Sequence, residues 1–235
     1  GTFGPQFANL SPVVEKTNVE GRLRLYGHAS EGETLSTLLY DDDGTDSSTV
    51  VYQWKRDEVT IAEATGTTYT LTQSDVDSTI KVRAIYTDDL NNHENVTSNA
   101  KSAVANINDD PTGTVTISGT AREDETLTVS NNLGDEDGLG VIIYQWNRND
   151  EVISGGTGPT YILVQEDVGS KITVTASYTD AQGTAESVTS APTASVANVN
   201  DLPNGAVVIS GAFAQGQTVT ATNNLSDEDE IASDI

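Results

Sequence analysis

The tripeptide Tyr-Gln-Trp occurs twice, as Tyr52-Gln53-Trp54 and as Tyr144-Gln145-Trp146, and apolar residues precede both copies. Farther along the second copy, Ile172, Val174 and Ala176 alternate with threonine or serine. An apolar period of two is typical of β-strands that bury one face. No segment has a helical period, so the sequence predicts an all-β protein.

The two tripeptides belong to an internal repeat. A shift of 92 positions places Tyr52 on Tyr144 and also Asp109 on Asp201, without a gap. A further copy begins at Pro203, where Ile209-Ser210-Gly211 repeats Ile117-Ser118-Gly119. We therefore predict a linker segment at 1–18, repeat 1 at 19–110, repeat 2 at 111–202 and the truncated start of repeat 3 at 203–235.

Each complete repeat has room for about seven short strands separated by polar stretches, and its tryptophan falls on the third strand. This pattern predicts tandem immunoglobulin-like (cadherin-like) seven-stranded antiparallel β-sandwiches, in which that tryptophan fills the core. The truncated copy contains counterparts of two strands alone, and an isolated hairpin is marginal in water. We expect Val207, Ile209 and Val219 to remain largely exposed, and the segment either to be mobile or to be ordered only by packing on a neighbouring chain.

Composition narrows the possible functions. The chain has 36 acidic and 11 basic residues, a net charge of −25 and no cysteine. This charge repels nucleic acid and anionic membrane surfaces, so we expect neither as a partner. The lack of cysteine excludes disulfides and thiolate metal sites within this sequence. There is neither an apolar stretch of membrane-spanning length nor a secretory signal, so we expect no membrane insertion and an internal, processed or signal-independent export fragment.

Acidic residues gather in loops at both ends of each predicted sandwich. Calcium takes six to eight oxygen ligands, and neighbouring carboxylates repel one another unless a cation lies between them. We therefore predict Ca²⁺ at two junctions between repeats. An alternative remains open, because acidic turns and surfaces also occur without metal. The predicted ligands are Glu31, Asp75, Asn106, Asn108, Asp109, Asp135, Asp137 and Asp180 at the first junction, and Glu123, Asp167, Asn198, Asn200, Asp201, Asp227 and Asp229 at the second.

The linkers Asn106-Ile107-Asn108-Asp109-Asp110-Pro111 and Asn198-Val199-Asn200-Asp201-Leu202-Pro203 resemble the calcium-binding linker of cadherins. With Tyr144-Gln145-Trp146 and Tyr178-Thr179-Asp180, they also resemble extender repeats of giant bacterial RTX-type adhesins. The resemblance implies a non-catalytic stalk module at the cell surface, whose partners are calcium and neighbouring repeats. It departs from cadherins at Asn106 and Asn198, where cadherins have Asp. Asp43-Gly44-Thr45 also aligns with Asp135-Glu136-Asp137, so we expect fewer ions.

The sequence also bears on two other functions, an enzyme and a lectin-like module. An enzyme is not expected, since His28 and His93 align with Thr120 and Ala185 and the carboxylates lie in loops. A lectin-like module that binds cell-surface or matrix glycans is the alternative function. Tyr26 and Tyr40 replace the Ser118 and Asn132 of repeat 2, and they would provide an aromatic platform. These tyrosines would otherwise serve for edge packing against the N-terminal segment.

Overall fold

The computed structural model describes residues 16–229, and its regular structure there consists of β-strands and two short 3-10 turns. The prediction of an all-β protein is confirmed. The chain divides into two compact units between Ile107 and Asn108. No helix in the described residues is long and apolar enough to cross a membrane.

Repeat 1 contains seven strands in two antiparallel sheets. One sheet has the order β1-β2-β5 and the other has the order β4-β3-β6-β7. The strands are β1 Arg22–Tyr26, β2 Thr34–Tyr40, β3 Val51–Arg56, β4 Val59–Thr60, β5 Thr68–Thr70, β6 Ile80–Thr87 and β7 His93–Thr97, with a 3-10 turn at Gln73–Asp75.

Repeat 2 has the same two sheets, with orders β8-β9-β12 and β11-β10-β13-β14. Its strands are β8 Val115–Ser118, β9 Thr126–Asn131, β10 Ile143–Arg148, β11 Glu151–Val152, β12 Thr160–Ile162, β13 Ile172–Thr179 and β14 Ala185–Thr189, with a 3-10 turn at Gln165–Asp167.

The fourth strand of each repeat pairs with the third, in the four-stranded sheet. In constant-type immunoglobulin domains the fourth strand instead joins the other sheet. The cause is local. A two-residue turn connects the two strands, and both its residues have positive φ, 42° and 69° at Asp57 and Glu58, and 47° and 69° at Asn149 and Asp150. Such turns make tight hairpins, which keep the fourth strand beside the third.

The tryptophans fill the two cores, as the sequence predicts. Trp54 and Trp146 are fully buried. In each repeat, apolar residues from both sheets belong to one buried cluster, so the sheets enclose a single core. The indole nitrogens donate to backbone carbonyls, over 2.9 Å in both cases, to Gly66 and Gly158. These bonds fix the ring orientation and satisfy the one polar atom of each indole.

Beyond repeat 2, the strands β15 Val207–Gly211 and β16 Val219–Asn223 form an antiparallel hairpin. The side chains of Val207, Ile209 and Val219 are 61%, 57% and 48% exposed. The prediction that these residues lack a core is confirmed. The mobility expected for this segment stays a prediction.

Candidate metal centre

The chain enters repeat 2 at a cluster of five acidic side chains and one carboxamide, which we call the entry end of repeat 2: Asn108, Asp109, Asp135, Asp137, Asp180 and Glu186. The backbone N–H of Asp109 donates to Asp137 over 2.8 Å, and the Asn108 amide donates to Glu186 over 2.9 Å. Asp135 accepts a hydrogen bond from the Tyr178 hydroxyl. Burial, and then this hydrogen bond, raise the pKa of Tyr178, so its hydroxyl remains a donor at neutral pH.

Two carboxylates at this end are buried. Asp137 is 2% exposed and Asp180 is 7% exposed. One Asp180 oxygen accepts from the backbone N–H groups of Gln182 and Thr184. The other Asp180 oxygen, Oδ2, is buried and has no hydrogen-bond partner. A buried carboxylate oxygen without a donor is costly, and a cation would compensate it.

The corresponding entry end of repeat 1 has the same framework: Asp41, Asp43, Asp88 and Glu94, reached by the chain at Asn18 and Val19. Tyr86 donates to Asp41 over 2.6 Å, as Tyr178 does to Asp135. The backbone N–H of Val19 donates to Asp43 over 2.6 Å, as that of Asp109 does to Asp137.

The gapless alignment of this loop is therefore wrong. Asp41 and Asp43, not Asp43 and Thr45, occupy the places of Asp135 and Asp137. Gly44 and Gly138 mark the same turn, with φ of 88° and 95°. Repeat 2 has two more residues than repeat 1 before this pair of aspartates, and repeat 1 has two more after it. A constant shift of 92 positions therefore misaligns the loop. Repeat 1 thus keeps both aspartates, and the expected loss of carboxylates does not occur here.

The two entry ends differ in what neutralises the acids. In repeat 1 the Lys16 ammonium lies 3.4 Å from Asp43. The Asn92 side chain donates to Asp88 over 2.8 Å, on the oxygen that corresponds to Asp180 Oδ2. Thr184 stands at the Asn92 position in repeat 2 and provides its backbone N–H alone. Repeat 1 therefore supplies its own donors where repeat 2 leaves an acceptor open.

The exit end of repeat 2 brings three carboxylates together. Ligand oxygens of Glu123, Asp201 and Glu228 all lie within 4.8 Å of one another. Glu123 is buried, Asp201 is half-buried and Glu228 is exposed. Glu123 precedes β9, Asp201 lies in the connection after repeat 2, and Glu228 follows β16. The group therefore has members in repeat 2, in the connection and in the segment that follows it.

Hydrogen bonds hold the members of this group in place. Glu123 accepts from the backbone N–H of Val199 over 3.0 Å. The Asp201 N–H donates to Asp229 over 2.7 Å, and the Asp229 N–H donates to Asp227 over 3.0 Å. The remaining Asp229 oxygen, Oδ1, is buried without a hydrogen-bond partner. The exit end therefore repeats the pattern of the entry end of repeat 2. In both, the backbone N–H of an aspartate in the connection donates to an aspartate of the following loop.

The Gln165 amide lies against Glu123. With its nitrogen facing the carboxylate, the amide donates to both Glu123 oxygens, at 2.5 and 3.0 Å. Bound calcium would favour the opposite orientation, because carboxamides ligate calcium through oxygen. Gln165 can thus either donate hydrogen bonds to Glu123 or share a cation with it.

Two of the predicted ligands have a different role. Asp75 and Asp167 are fully buried, and each accepts from an arginine Nε over 2.7 Å, from Arg56 and Arg148. Each also accepts from the hydroxyl of Tyr69 or Tyr161 and from the backbone N–H at the start of the 3-10 turn. Assigning them as metal ligands is therefore corrected, since their oxygens are occupied by donors within their own repeat.

The other predicted ligands lie as follows. In the first unit, Glu31 lies near the backbone N–H of Ile107, and the side-chain oxygen of Asn106 is buried without a hydrogen-bond partner. In the second unit, Asn200 donates to the Asp201 carbonyl, while Asn198 is exposed. Sequence reasoning missed Gln165, Glu186 and Glu228. Glu228 lies between the predicted ligands Asp227 and Asp229, so the acidic run Asp227-Glu228-Asp229 was the available signal for it.

The exit end fits a hard divalent cation. Calcium lies 2.3–2.6 Å from its oxygen ligands, so two ligands of one ion are separated by no more than about 5 Å. The three carboxylates meet this limit, and Asp229 Oδ1 is a further oxygen without a donor. Three oxygens leave places for water, carbonyl groups or Gln165 in a shell of six to eight.

No protein-family model and no curated protein matches the chain. Among solved structures, it is similar to a Ca²⁺-stabilized adhesin with which an Antarctic bacterium binds ice, at 13% identity and a TM-score of 0.32, over 83% of this chain and 52% of that one. It is also similar to a 1.5-MDa bacterial ice-binding adhesin, at 15% identity and a TM-score of 0.31, over 83% and 70% of the two chains.

A third similarity is to three N-terminal domains of the outer capsid protein Hoc of bacteriophage RB49, at 14% identity and a TM-score of 0.29, over 88% of this chain and 70% of that one. The chain spans about half the length of the first adhesin structure. Similarities this distant do not assign a ligand or a function.

Proposed function

We propose that this chain is a non-catalytic stalk module of a secreted or cell-surface bacterial adhesin, built from immunoglobulin-like repeats that calcium stiffens at their ends. The observation that carries the proposal is the carboxylate group of Glu123, Asp201 and Glu228 at the exit end of repeat 2. Its three members come from the repeat, from the connection and from the following segment.

A buried carboxylate supports this assignment. Glu123 is 4% exposed, in a chain of net charge −25. Bringing Asp201 and Glu228 close to it increases the repulsion, so without a cation the connection would be held less firmly against the repeat. A cation reverses the sign of that interaction. It would therefore hold the connection against repeat 2, which is the property that a stalk requires.

The composition of the group suits calcium outside the cell. Sites of extracellular modules bind calcium with dissociation constants of about 10⁻⁴–10⁻³ M, tuned by the number of charged ligands and the rigidity of the site. We expect the dissociation constant of a group with three carboxylates, one of them exposed, to lie in that range. Magnesium fits less well, since it demands near-ideal octahedral geometry and retains its water.

The test is calcium-dependent stability of the whole chain, measured for Glu123→Gln against Glu125→Gln as the control. Glu125 is an exposed acid two residues away, outside the group. Because calcium binds the folded state, a concentration 100 times Kd should stabilise it by about 2.7 kcal/mol. We expect calcium to raise the melting temperature of the wild type and of E125Q, and to act much more weakly on E123Q.

Limited proteolysis provides a local readout. Calcium should slow cleavage within 198–204 in the wild type and in E125Q, and should leave cleavage of E123Q nearly unchanged. The calcium assignment is wrong if calorimetry detects no binding up to millimolar calcium. Equal calcium protection in E123Q and in the wild type would place the ion elsewhere.

A further inference from the structure

One face of repeat 1 differs from the rest of this acidic molecule, and we call it the arginine face: Arg22 and Arg24 on β1, and Leu38 and Tyr40 on β2. Arg22 pairs with Tyr40 across the strands, and Arg24 pairs with Leu38. Leu38 is 52% exposed and Tyr40 is 57% exposed, and both arginines are exposed. The four side chains line one shallow depression of about 280 Å³.

Repeat 2 provides an internal reference for this face. The strand pairs have the same register, Leu23 with Leu39 in repeat 1 and Val115 with Asn131 in repeat 2. The places of the arginine face are taken in repeat 2 by small polar residues that bond to one another. The Thr116 and Ser130 hydroxyls are 2.8 Å apart, and Asn132 accepts from the Thr114 backbone over 2.8 Å. The fold therefore does not require the arginines or the exposed apolar groups.

The arginines of this face have unused donors. Within residues 16–229, neither the Arg22 nor the Arg24 guanidinium makes an ion pair or a hydrogen bond. Arg56 and Arg148, by contrast, bind buried aspartates. An arginine with open donors can bind a carboxylate through two parallel hydrogen bonds.

Tyr40 is held in one orientation. Its hydroxyl donates to Asp42 over 2.6 Å, which orients the ring beside the arginines. The exposed ring and Leu38 offer an apolar surface, and the hydrogen bond to Asp42 lowers the cost of ordering the tyrosine when a ligand binds. Charge and apolar contact are thus available side by side.

We propose that the arginine face binds a glycan that carries a single carboxylated sugar among neutral ones. The carboxylate would bind Arg22 and Arg24, and the apolar face of a neighbouring sugar ring would lie on Tyr40 and Leu38. The site is separate from the proposed calcium centre and does not depend on it. It gives repeat 1 a recognition function that repeat 2 lacks.

The charge of the whole chain selects this class over dense polyanions. A net charge of −25 repels nucleic acid and highly sulfated chains, whose charges extend over the surrounding acidic surface. A ligand with one charge interacts mainly with groups within the screening length of about 8 Å. Both arginines lie within that distance of one carboxylate placed between them, since residues two apart on a strand are about 7 Å apart, and they oppose the charge of Asp42 at the Tyr40 hydroxyl.

Binding of 3′-sialyllactose, with lactose as the uncharged control, tests the proposal by calorimetry or ligand-observed NMR on the whole chain. Arg24→Thr and Tyr40→Asn introduce the residues that repeat 2 carries at these places, so they should fold. Arg83→Thr is the matched control, since repeat 2 has Thr175 there and Arg83 lies on the other sheet, bound to Asn95.

We expect the sialylated sugar to bind in the millimolar to micromolar range and lactose at least about tenfold more weakly, the factor expected for loss of one charged hydrogen bond. R24T and Y40N should each weaken binding by about tenfold, and R83T should not. EDTA should leave binding unchanged, which separates this result from the calcium proposal.

The proposal is overturned if 3′-sialyllactose does not bind at millimolar concentration, or if lactose binds equally well. It is also overturned if a heparin oligosaccharide or a poly-glutamate peptide binds more tightly than the sialylated sugar. Binding that R24T and Y40N leave intact would assign the ligand to another surface.

Discussion

The entry ends of the two repeats share a framework and differ in charge. In both, a buried tyrosine donates to the first aspartate of the loop and a backbone N–H donates to the second. Repeat 1 then places a positive charge at this framework with Lys16 and a hydrogen-bond donor with Asn92. Repeat 2 adds Asp109 and leaves Asp180 Oδ2 without a donor. One acidic scaffold can therefore be completed by its own side chains or left for a cation, and a few positions decide which.

The largest effect should come from a feature that does not differ between the repeats. Asp167 is fully buried and bound to Arg148, and Asp75 is bound to Arg56 in the same way. Replacing Asp167 with Asn keeps the shape but leaves a partly buried guanidinium without its counter-charge. Breaking a buried pair by removing one partner costs about 3–5 kcal/mol.

We therefore expect D167N to split chemical denaturation into two transitions, with repeat 2 unfolding first, as followed by the fluorescence of the two tryptophans. Glu166→Gln, at an exposed neighbouring residue, is the control and should unfold at the same denaturant concentration as the wild type. If D167N retains a single transition at the wild-type denaturant concentration, Asp167 is not the structural residue described here.

An intermediate effect should follow from exchanging the features that distinguish the entry ends. The variant Lys16→Asn/Val19→Asp/Asn92→Thr gives repeat 1 the open carboxylate oxygen and extra acid of repeat 2. We expect it to destabilise repeat 1 in EDTA, because the acids lose their donors, and to regain stability in calcium. The converse change, Thr184→Asn, supplies Asp180 with a donor and should weaken the calcium response of repeat 2.

Melting curves in calcium and in EDTA measure both changes. Lys81→Asn is the control, since Lys81 pairs with the exposed Glu58, which lies outside the entry ends of both repeats. If the triple variant is equally unstable in both solutions, the framework alone does not bind calcium. An unaltered calcium response in T184N would show that Asp180 Oδ2 is not a ligand.

The strands were predictable because their apolar period is two, and the tryptophans marked the core. The exposed hairpin was predictable because two strands cannot cover each other. The metal ligands were harder. A loop's acidic composition does not say which oxygens already have donors, so it predicts metal binding at Asp75 and Asp167. In the structure Arg56 and Arg148, each 19 residues earlier in the chain, bind these two carboxylates. The constant shift of 92 positions likewise failed in the loop at Asp41, because the two repeats have different numbers of residues before and after its aspartates.

The smallest effect concerns acid and separates the structural carboxylate of repeat 1 from its surface acids. Burial alone would raise the pKa of Asp75, but hydrogen bonds from the Thr72 backbone, Arg56 and Tyr69 outweigh it and lower that pKa. An aspartate has a pKa of about 3.9 when unfolded. The stabilisation from Asp75 is therefore complete above about pH 4, and it is lost as the pH falls further through the lowered folded pKa.

We expect the unfolding free energy of repeat 1 to fall on acidification below about pH 4, with a smaller slope in Asp75→Asn, which cannot titrate. Asp77→Asn, at an exposed residue two positions away, should keep the wild-type slope. Urea denaturation from pH 5 to pH 2.5, in EDTA to exclude bound calcium, measures these slopes. Equal slopes in the wild type and D75N would mean that the acid sensitivity of repeat 1 comes from its other carboxylates.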